Sequence, residues 1–495
     1  MSLLVSGGQP LAEADPPEVM IDKLKARADA RAAKSKVYDD LYNGDENKLF
    51  YATPEFSQQT GGLFDEFSDN WCATVPDAVR ERLVVTAFQD ENGQLDTVAW
   101  KAWRRTGAHV DVGLALLDAL VVGRSHAMVW NPTGSASDIT FLPNGQAAVD
   151  YVPGARRRRR AAVNVWSDGF YDYATLFVRA QGGRPAMVYR RQRVSGGGTW
   201  APRTEGLRRS ELADFANPMG DEVPIVELPN RARLHGDPVS DIKTVAPLQR
   251  TVNTQWAHLL TNSDFLALPQ RVVLGMDKPV KDLIDPASGD IIGEEDIPLD
   301  LYSRDRLLWL SKAGAGIAQF NGADLGNYLR VIEALVRHIA AQTRTPPHYL
   351  LGEMSNIAAE ALTAAESGLV AKASDKQLFF GADLLEIMRL EALAAGEPER
   401  AAALALGRVL WRDPQYRSEA LYADALTKYK AIGVPDEALW RMIPGVEPEQ
   451  VEEWKRLRDE QNAAAARAAS SALAAFGPKE PGDDEDEEDL EDEAA

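Results

Sequence analysis

Five consecutive arginines form the densest run of positive charge in the sequence, within the segment VPGARRRRRAAVNVW. They are Arg156, Arg157, Arg158, Arg159 and Arg160, and the turn residues and short strand pattern around them predict a hairpin. Guanidinium groups bind phosphates and carboxylates, so the run could contact nucleic acid or an acidic neighbouring subunit. The alternative is a solvated loop whose like charges repel each other. The residues alone leave both interpretations open.

A second unusual segment, TRTPPHYLLGEMSN, connects two predicted helices between Thr343 and Asn356. Its two prolines end the first helix, because proline donates no backbone hydrogen bond and disfavours helix at the residue before it. One interpretation is a buried connection between the helices. The other is a mobile loop that faces a cavity, with Gly352 as its pivot.

The motifs of common catalytic sites are missing from the sequence. It contains no GxxxxGK[ST] phosphate loop, no HExxH, no GxSxG and no GxGxxG after a predicted strand. The six histidines include no pair at ligand spacing, and the single cysteine, Cys72, excludes a Cys-based zinc site and an intrachain disulfide. We therefore expect no enzyme activity, no metal and no cofactor. An enzyme with an unrecognised site stays as an alternative, and it would need a pocket of perturbed carboxylates.

The net charge of the chain excludes further classes of protein. The 495 residues include 54 Lys and Arg against 75 Asp and Glu, a net charge of −21, which does not suit a cationic nucleic-acid clamp. Residues 479–495 hold eleven acidic residues against Lys479, and this composition predicts a disordered tail. The sequence has neither a signal-peptide pattern nor a long apolar run, so we expect a soluble protein made inside the cell.

Hydrophobic periodicity predicts an α+β region up to about residue 240 and a mainly helical region after it. In the second region, an insert with strand-like runs at Arg271 to Leu274 and Leu307 to Leu310 separates two predicted helices. An uninterrupted helical pattern then runs from Ile357 to about Ala395, and residues 399–460 are predicted to form a small helical domain. Further helices are predicted at 17–43, 70–83, 111–122, 241–264 and 324–343.

Several blocks of the sequence resemble the portal proteins of tailed bacteriophages, in the large family that infects Gram-positive and actinobacterial hosts. The blocks are LYNGD (41–45), FSDNWCATVPDAVRERLVVTAF (67–88), DALVVGRSHAMVW (118–130) and the run from RTPPHYLLGEMSN to DLLEIMRL (344–390). They follow one another in order, and the match covers roughly residues 17–440.

The resemblance implies an α+β portal fold with an α+β wing, a two-helix stem, a small α/β clip, a long helix after a tunnel loop, and a helical C-terminal crown. The implied parts are a flexible N-terminus (1–16), wing (17–240), stem helices (241–264 and 324–343), clip (265–320), tunnel loop (344–356), long wing helix (357–396), crown (397–462) and a disordered Ala-rich and acidic tail (463–495).

The resemblance also implies a function. Portal proteins form a homo-oligomeric ring, typically of twelve subunits, at one vertex of the capsid, and double-stranded DNA passes through its channel during packaging and ejection without sequence-specific contacts. The implied partners are the terminase large subunit, a head–tail adaptor, and the major capsid and scaffolding proteins, with no membrane. The protein would lie in the virion, and in the host cytoplasm during assembly. Another head–tail connector or structural ring protein is the alternative.

On this interpretation the channel would be lined by the tunnel loop and the stem. Carboxylates along such a channel repel phosphates, and isolated arginines offset this locally. We expect the stretch from Tyr349 to Met354 to touch DNA by van der Waals contact without reading bases. The channel candidates are Arg344, Pro346, Pro347, His348, Tyr349, Leu350, Leu351, Glu353 and Met354 in the loop, and Arg330 and Arg337 on the stem.

Overall fold

A computed structural model describes most of the chain, and the statements below refer to this part of it. The described residues are 11–12, 15–45, 69–130, 137–155, 157–207, 212–231, 233–234, 236–267, 271–274, 280–296, 307–310, 324–352, 359–415, 419–443 and 445–475.

Helices and strands are mixed over the first 230 residues, and helices dominate afterwards, as the hydrophobic pattern predicts. The helices are α1 (Pro17–Asn43), α2 (Trp71–Arg80), α3 (Thr97–Arg105), α4 (Ala108–Val122), α5 (Ala246–Ala267), α6 (Leu325–Thr343), α7 (Pro347–Leu351), α8 (Ala359–Ala394), α9 (Pro398–Ala405), α10 (Glu419–Ala431), α11 (Asp436–Trp440) and α12 (Pro448–Ala475). The strands are β1 (Val85–Gln89), β2 (Arg124–Trp130), β3 (Asp138–Leu142), β4 (Ala147–Tyr151), β5 (Arg159–Ser167), β6 (Tyr171–Val178), β7 (Met187–Val194), β8 (Ala201–Pro202), β9 (Asp214–Ala216), β10 (Ile225–Pro229), β11 (Arg271–Leu274), β12 (Val280–Ile284), β13 (Ile291–Asp296), β14 (Leu307–Leu310) and β15 (Arg408–Trp411).

The largest sheet is antiparallel, with the order β4-β5-β6-β7-β8, and β9 pairs with β7. Helix α1 packs on it through Ile21, Leu24 and Ala28, which lie on one face of the helix and are buried among the inward residues of β4 to β6. An ion pair of 2.9 Å between Arg27 and Asp150 fixes the same helix to β4.

A smaller antiparallel sheet has the order β10-β2-β3. Helices α4 and α8 both pack on it, and their apolar side chains join those of the strands in the main hydrophobic core. Leu116 of α4 and Leu384 of α8 are fully buried there, beside Val129 of β2. The long helix is therefore part of the same core as the strand region.

Helices α5 and α6 pack against each other, and Asn262 donates a 3.0 Å hydrogen bond to the hydroxyl of Tyr328 across the pair. Asp324 caps α6 by accepting a hydrogen bond from the backbone of Gly326. The insert between the two helices contains the parallel pair β11–β14 and the antiparallel hairpin β12–β13. The two strand-like runs predicted there are confirmed.

Helix α8 has 36 residues, which at 1.5 Å per residue is about 54 Å. Residues 399–460, predicted to form a small helical domain, contain α9 to α12 and in addition the short strand β15, which pairs antiparallel with β1. Partners more than 300 residues apart leave no local pattern that distinguishes a short strand from a helix end. This pairing joins the start of the C-terminal helices to the α+β region. Among the described helices, none is long and apolar enough to cross a membrane.

Candidate functional site, an arginine-rich cleft

A cleft of about 1400 Å³ lies where the turn before β5, the end of α6 and the middle of α8 meet. Arg157 and Arg158 line it from the turn, and Arg344 lines it from the end of α6. The fold therefore brings together the two segments that stand out in the sequence, the arginine run and the proline-bounded connection. We call this site the arginine cleft.

The charge of the arginine cleft has the opposite sign to that of the whole chain. Nine basic side chains and six acidic side chains line it, whereas the chain as a whole has a net charge of −21. The basic residues are Arg157, Arg158, Arg159, Arg179, Arg231, Arg344, Lys372, Lys376 and Arg389, and the acidic residues are Glu222, Glu227, Asp241, Asp375, Asp383 and Glu386.

Part of this positive charge is not neutralised within the chain. Within the described ranges, no ion pair involves Arg157, Arg158, Arg231 or Arg344. Arg231 and Arg344 have backbone φ angles of 48° and 57°, and they are the non-glycine residues with positive φ in the described chain. A left-handed conformation costs about 1 kcal/mol for a residue with a side chain, so two such arginines at one site mark a local strain that the surrounding packing maintains.

The described arginines of the run differ in their surroundings: two are paired with carboxylates and two are exposed. Arg159 is buried and pairs with Glu386 and, at 3.7 Å, with Glu222. Arg160 contacts Asp150 at 2.6 Å. Arg157 and Arg158 are exposed, and Arg156 lies outside the described residues. The solvated-loop interpretation is therefore wrong for Arg159 and Arg160, because both bind carboxylates of their own chain.

A buried carboxylate anchors α8 at the floor of the cleft. The side chain of Asp241 is fully buried, and it accepts contacts from Lys372 at 2.8 Å and from Lys376 at 3.2 Å. Asn230 donates a 3.0 Å hydrogen bond to the same carboxylate. Burial opposes ionisation, but the two ammonium groups outweigh it and hold the pKa of Asp241 well below its usual range. This cluster joins α8 to the 3-10 turn Asp241–Thr244 that precedes α5.

A second buried network lies behind the cleft. Glu227 pairs with Arg124 and accepts a 3.1 Å hydrogen bond from Tyr151. Burial would raise its pKa, but the charges of Arg124 and Arg31 lower it to about 2. For the half-buried Asp383 the balance is reversed: burial and the charge of Glu227 outweigh the opposing charges of Arg157 and Arg159 and raise the pKa of Asp383 to about 8. Asp383 is thus neutral near pH 7, which leaves the cleft more positive than its residue count indicates.

The described part of the proline-bounded segment is folded against the helices. Residues 347–351 form the short helix α7, and Trp71 donates a 3.1 Å hydrogen bond to the carbonyl of Leu350. Leu350 is buried in the core between α2, α5 and α6, and Pro346 is buried too. The hydroxyl of Tyr349 accepts a 3.0 Å hydrogen bond from Arg82. These residues therefore fit the buried-connection interpretation of the segment.

The exposure of the channel candidates differs along this segment. Arg344, Pro347 and Tyr349 are exposed, and His348 and Leu351 are half-buried. Glu353 and Met354 lie outside the described residues. Arg330 and Arg337 are exposed on α6, away from the cleft lining, where Arg337 makes a 3.7 Å ion pair with Glu333.

The sequence analysis missed the cleft residues that lie on α8 and around Asp241. Lys372 and Lys376 are four residues apart, so they share one face of a predicted helix, and this spacing was a usable signal. Asp241 and Asp383 carried no such signal, because the charges that act on them most strongly lie more than 100 residues away in the sequence. Among the described residues, no group of three or more His, Cys, Asp or Glu could hold a metal ion.

Comparison with known proteins identifies the family. The family model of the phage portal protein, SPP1 Gp6-like, matches residues 193–465, which is more than half of the chain. The chain belongs to this portal family. The portal proteins of Mycobacterium phages D29 and L5 are each 29% identical to it, over 411 and 410 residues, and each match covers 78% of both chains. The resemblance to portal proteins of phages with actinobacterial hosts, and the portal function expected from it, are confirmed.

Solved structures give more distant matches. The neck of an empty GTA particle, computed with C6 symmetry, matches at 15% identity and a TM-score of 0.38, covering 73% of this chain and 86% of that one. The neck of a native GTA particle, computed with C12 symmetry, matches at 14% identity and a TM-score of 0.38, covering 74% and 85%.

Proposed function

We propose that this portal protein forms a homo-oligomeric ring of about twelve subunits at the capsid vertex, and that double-stranded DNA passes through its channel during packaging and ejection. The observation that carries the proposal is the family match over residues 193–465. The missing catalytic motifs support a structural role rather than an enzymatic one.

Within this proposal, the packed pair α5 and α6 is the stem, and the insert between them, with β11 to β14, is the clip. The α+β region is the wing, and the helices after β15 are the crown. The terminase large subunit and then the head–tail adaptor would dock on the clip, and the major capsid and scaffolding proteins would surround the ring in the virion and, during assembly, in the host cytoplasm.

DNA contact is best assigned to the exposed candidates. Arg330 and Arg337 on the stem, and Pro347 and Tyr349 near the loop, have side chains that a passing duplex could touch, whereas Arg344 lines the arginine cleft. Leu350 is no longer suited to this role, because its side chain is buried in the core of its own chain. Contact with phosphates through a few arginines on an acidic protein is weak and independent of sequence, which suits a duplex that must slide.

Mass and imaging of the purified chain test the proposal. Twelve chains of 54.2 kDa would form a particle of about 650 kDa, seen in negative-stain images as a ring with a central hole. A chain that stays monomeric at high concentration, and also with its capsid and scaffolding proteins present, would contradict the proposed function.

A further inference from the structure

The arginine cleft has the composition of a protein interface. Leu378 and Phe379 of α8 line the cleft and are 71% and 63% exposed, next to the exposed Arg157 and Arg158. Aromatic residues and arginines are enriched where proteins bind each other, and large apolar side chains rarely stay exposed together without a partner. The mixture favours a partner that is both apolar and acidic.

Such a surface exists on the same chain, on the outer face of α4. Val110 and Leu114 are 60% and 64% exposed and lie one helical turn apart. Asp111 is exposed beside them, and Asp118 lies one further turn along the same face. This stripe combines apolar and acidic residues, and it therefore complements the cleft in both respects.

A third carboxylate, that of Asp39 on α1, acts on the acidic end of this stripe. Burial, together with the charge of Asp39 on α1, raises the pKa of Asp118 to about 6. Throughout the part of the chain that the structure describes, no ion pair involves Asp39, Asp111 or Asp118. Uncompensated carboxylates on one surface and uncompensated arginines on another each gain if the two surfaces meet.

We propose that the arginine cleft of one copy of this chain receives the outer face of α4, with Asp39, Asp111 and Asp118, from the neighbouring copy. The inference rests on the proposed function, because it names the surfaces through which the ring would assemble. Two different surfaces that bind head to tail produce a ring when the rotation between copies closes, whereas a self-complementary surface would stop at a dimer.

Charge reversal on each surface, followed by their combination, tests the inference. Arg157→Glu with Arg158→Glu is expected to raise the concentration for half-maximal ring assembly at least tenfold, measured by mass photometry or analytical ultracentrifugation at low salt. Asp39→Arg with Asp111→Arg is expected to do the same. Mixing the two double variants should restore assembly, because each interface of a ring in which they alternate pairs opposite charges. Combining all four substitutions in one chain should also restore it, to within a factor of about three of the wild type.

The control is Arg456→Glu with Arg467→Glu on α12, which makes the same change in net charge at exposed positions outside the cleft. It should leave assembly unchanged, and circular dichroism should show every variant folded. A wild-type ring together with normal assembly of the cleft variant overturns this inference and leaves the proposed function standing. A wild-type chain that never assembles overturns the proposed function instead.

The same measurements distinguish two other possible occupants of the cleft, the acidic tail and nucleic acid. If deletion of residues 476–495 impairs assembly as much as the cleft variant does, the occupant is the chain's own acidic tail and the inference is wrong. If the cleft variant assembles normally but loses affinity for a 20-base-pair duplex, the occupant is nucleic acid. Loss of assembly that the combined variant does not restore excludes α4 as the occupant.

Discussion

At the scale of single residues, the partner decides what a charged side chain does. Arg158 and Arg159 are neighbours in the sequence, but Arg158 is exposed to the cleft while Arg159 pairs with Glu386. The sequence analysis could identify the arginine run as a candidate site from its composition. It could not predict which of the five arginines are paired and which are exposed, because the carboxylate that binds Arg159 lies 227 residues away in the sequence.

The same dependence gives a prediction for Asp241. Asp241→Asn leaves the ammonium groups of Lys372 and Lys376 buried beside each other without a carboxylate, and removing one partner of a buried ion pair costs about 3 kcal/mol. We expect the free energy of unfolding to fall by about that amount in urea denaturation. Asp375→Asn, an exposed position on the same helix, is the control and should change it by less than about 0.5 kcal/mol. Equal effects of the two substitutions would contradict the anchoring role.

Asp383 makes the free energy of unfolding depend on pH in a definite direction. Its pKa is about 8 in the folded chain and about 3.9 when unfolded, so between these values the folded state holds a proton that the unfolded state has lost. The free energy of unfolding therefore falls as pH rises from about 4 to 8. Asp383→Asn removes this loss. We expect the free energy of unfolding of the variant to exceed that of the wild type by at most roughly 5 kcal/mol at pH 8, with the gap closing toward pH 4.

Thermal unfolding at pH 5, 6.5 and 8 measures this gap. Asp375→Asn again serves as the matched control, since the same change at an exposed carboxylate should give a curve parallel to the wild type. A constant difference between Asp383→Asn and the wild type across this range would show that the carboxyl is ionised throughout.

At the scale of elements, local sequence patterns were sufficient to predict the long helices. Helix α1 was predicted at 17–43 and runs over those residues, and the long helix predicted from Ile357 to about Ala395 is α8, from 359 to 394. The pairing of β15 with β1 could not be predicted, because each strand has only four or five residues and the partner is remote. Helix α7 is a similar case, because it has only five residues and is held in place by the packing of Leu350 in the hydrophobic core.

Helix α7 therefore has a testable energetic role. Leu350→Ala removes a buried side chain from the core between α2, α5 and α6, and we expect it to lower the free energy of unfolding by about 2–3 kcal/mol. Leu329→Ala on α6, where the side chain is 45% exposed, should cost less than about 1 kcal/mol. Denaturant unfolding of both variants compares them. A smaller loss at Leu350 than at Leu329 would indicate that α7 does not pack as described.

At the scale of the whole molecule, composition predicted the net charge but not its distribution. Of the net charge of −21, −10 lies in residues 479–495, and the arginine cleft has an excess of basic residues within an acidic body. Composition averages over these regions, and only the fold shows that the arginines of the turn, of α6 and of α8 share one cleft. A protein that must let DNA slide is expected to repel phosphates over most of its surface and to hold positive charge only where a specific contact needs it.

The acidic tail offers the corresponding prediction. Deleting residues 476–495 removes Lys479 and eleven acidic residues, about half of the net negative charge. Residues 459–472 of α12 are exposed, so the deletion should leave the thermal midpoint unchanged. Because like charges repel over a distance of roughly 10 Å at 0.1 M salt, we expect the truncated chain to bind a short duplex at least threefold more tightly at low salt, with the gap narrowing as salt increases. Fluorescence anisotropy with a labelled duplex measures this. Replacing the eleven acidic residues by their amides controls for tail length and should reproduce the effect, whereas weaker DNA binding after deletion would mean that the tail assists contact with DNA.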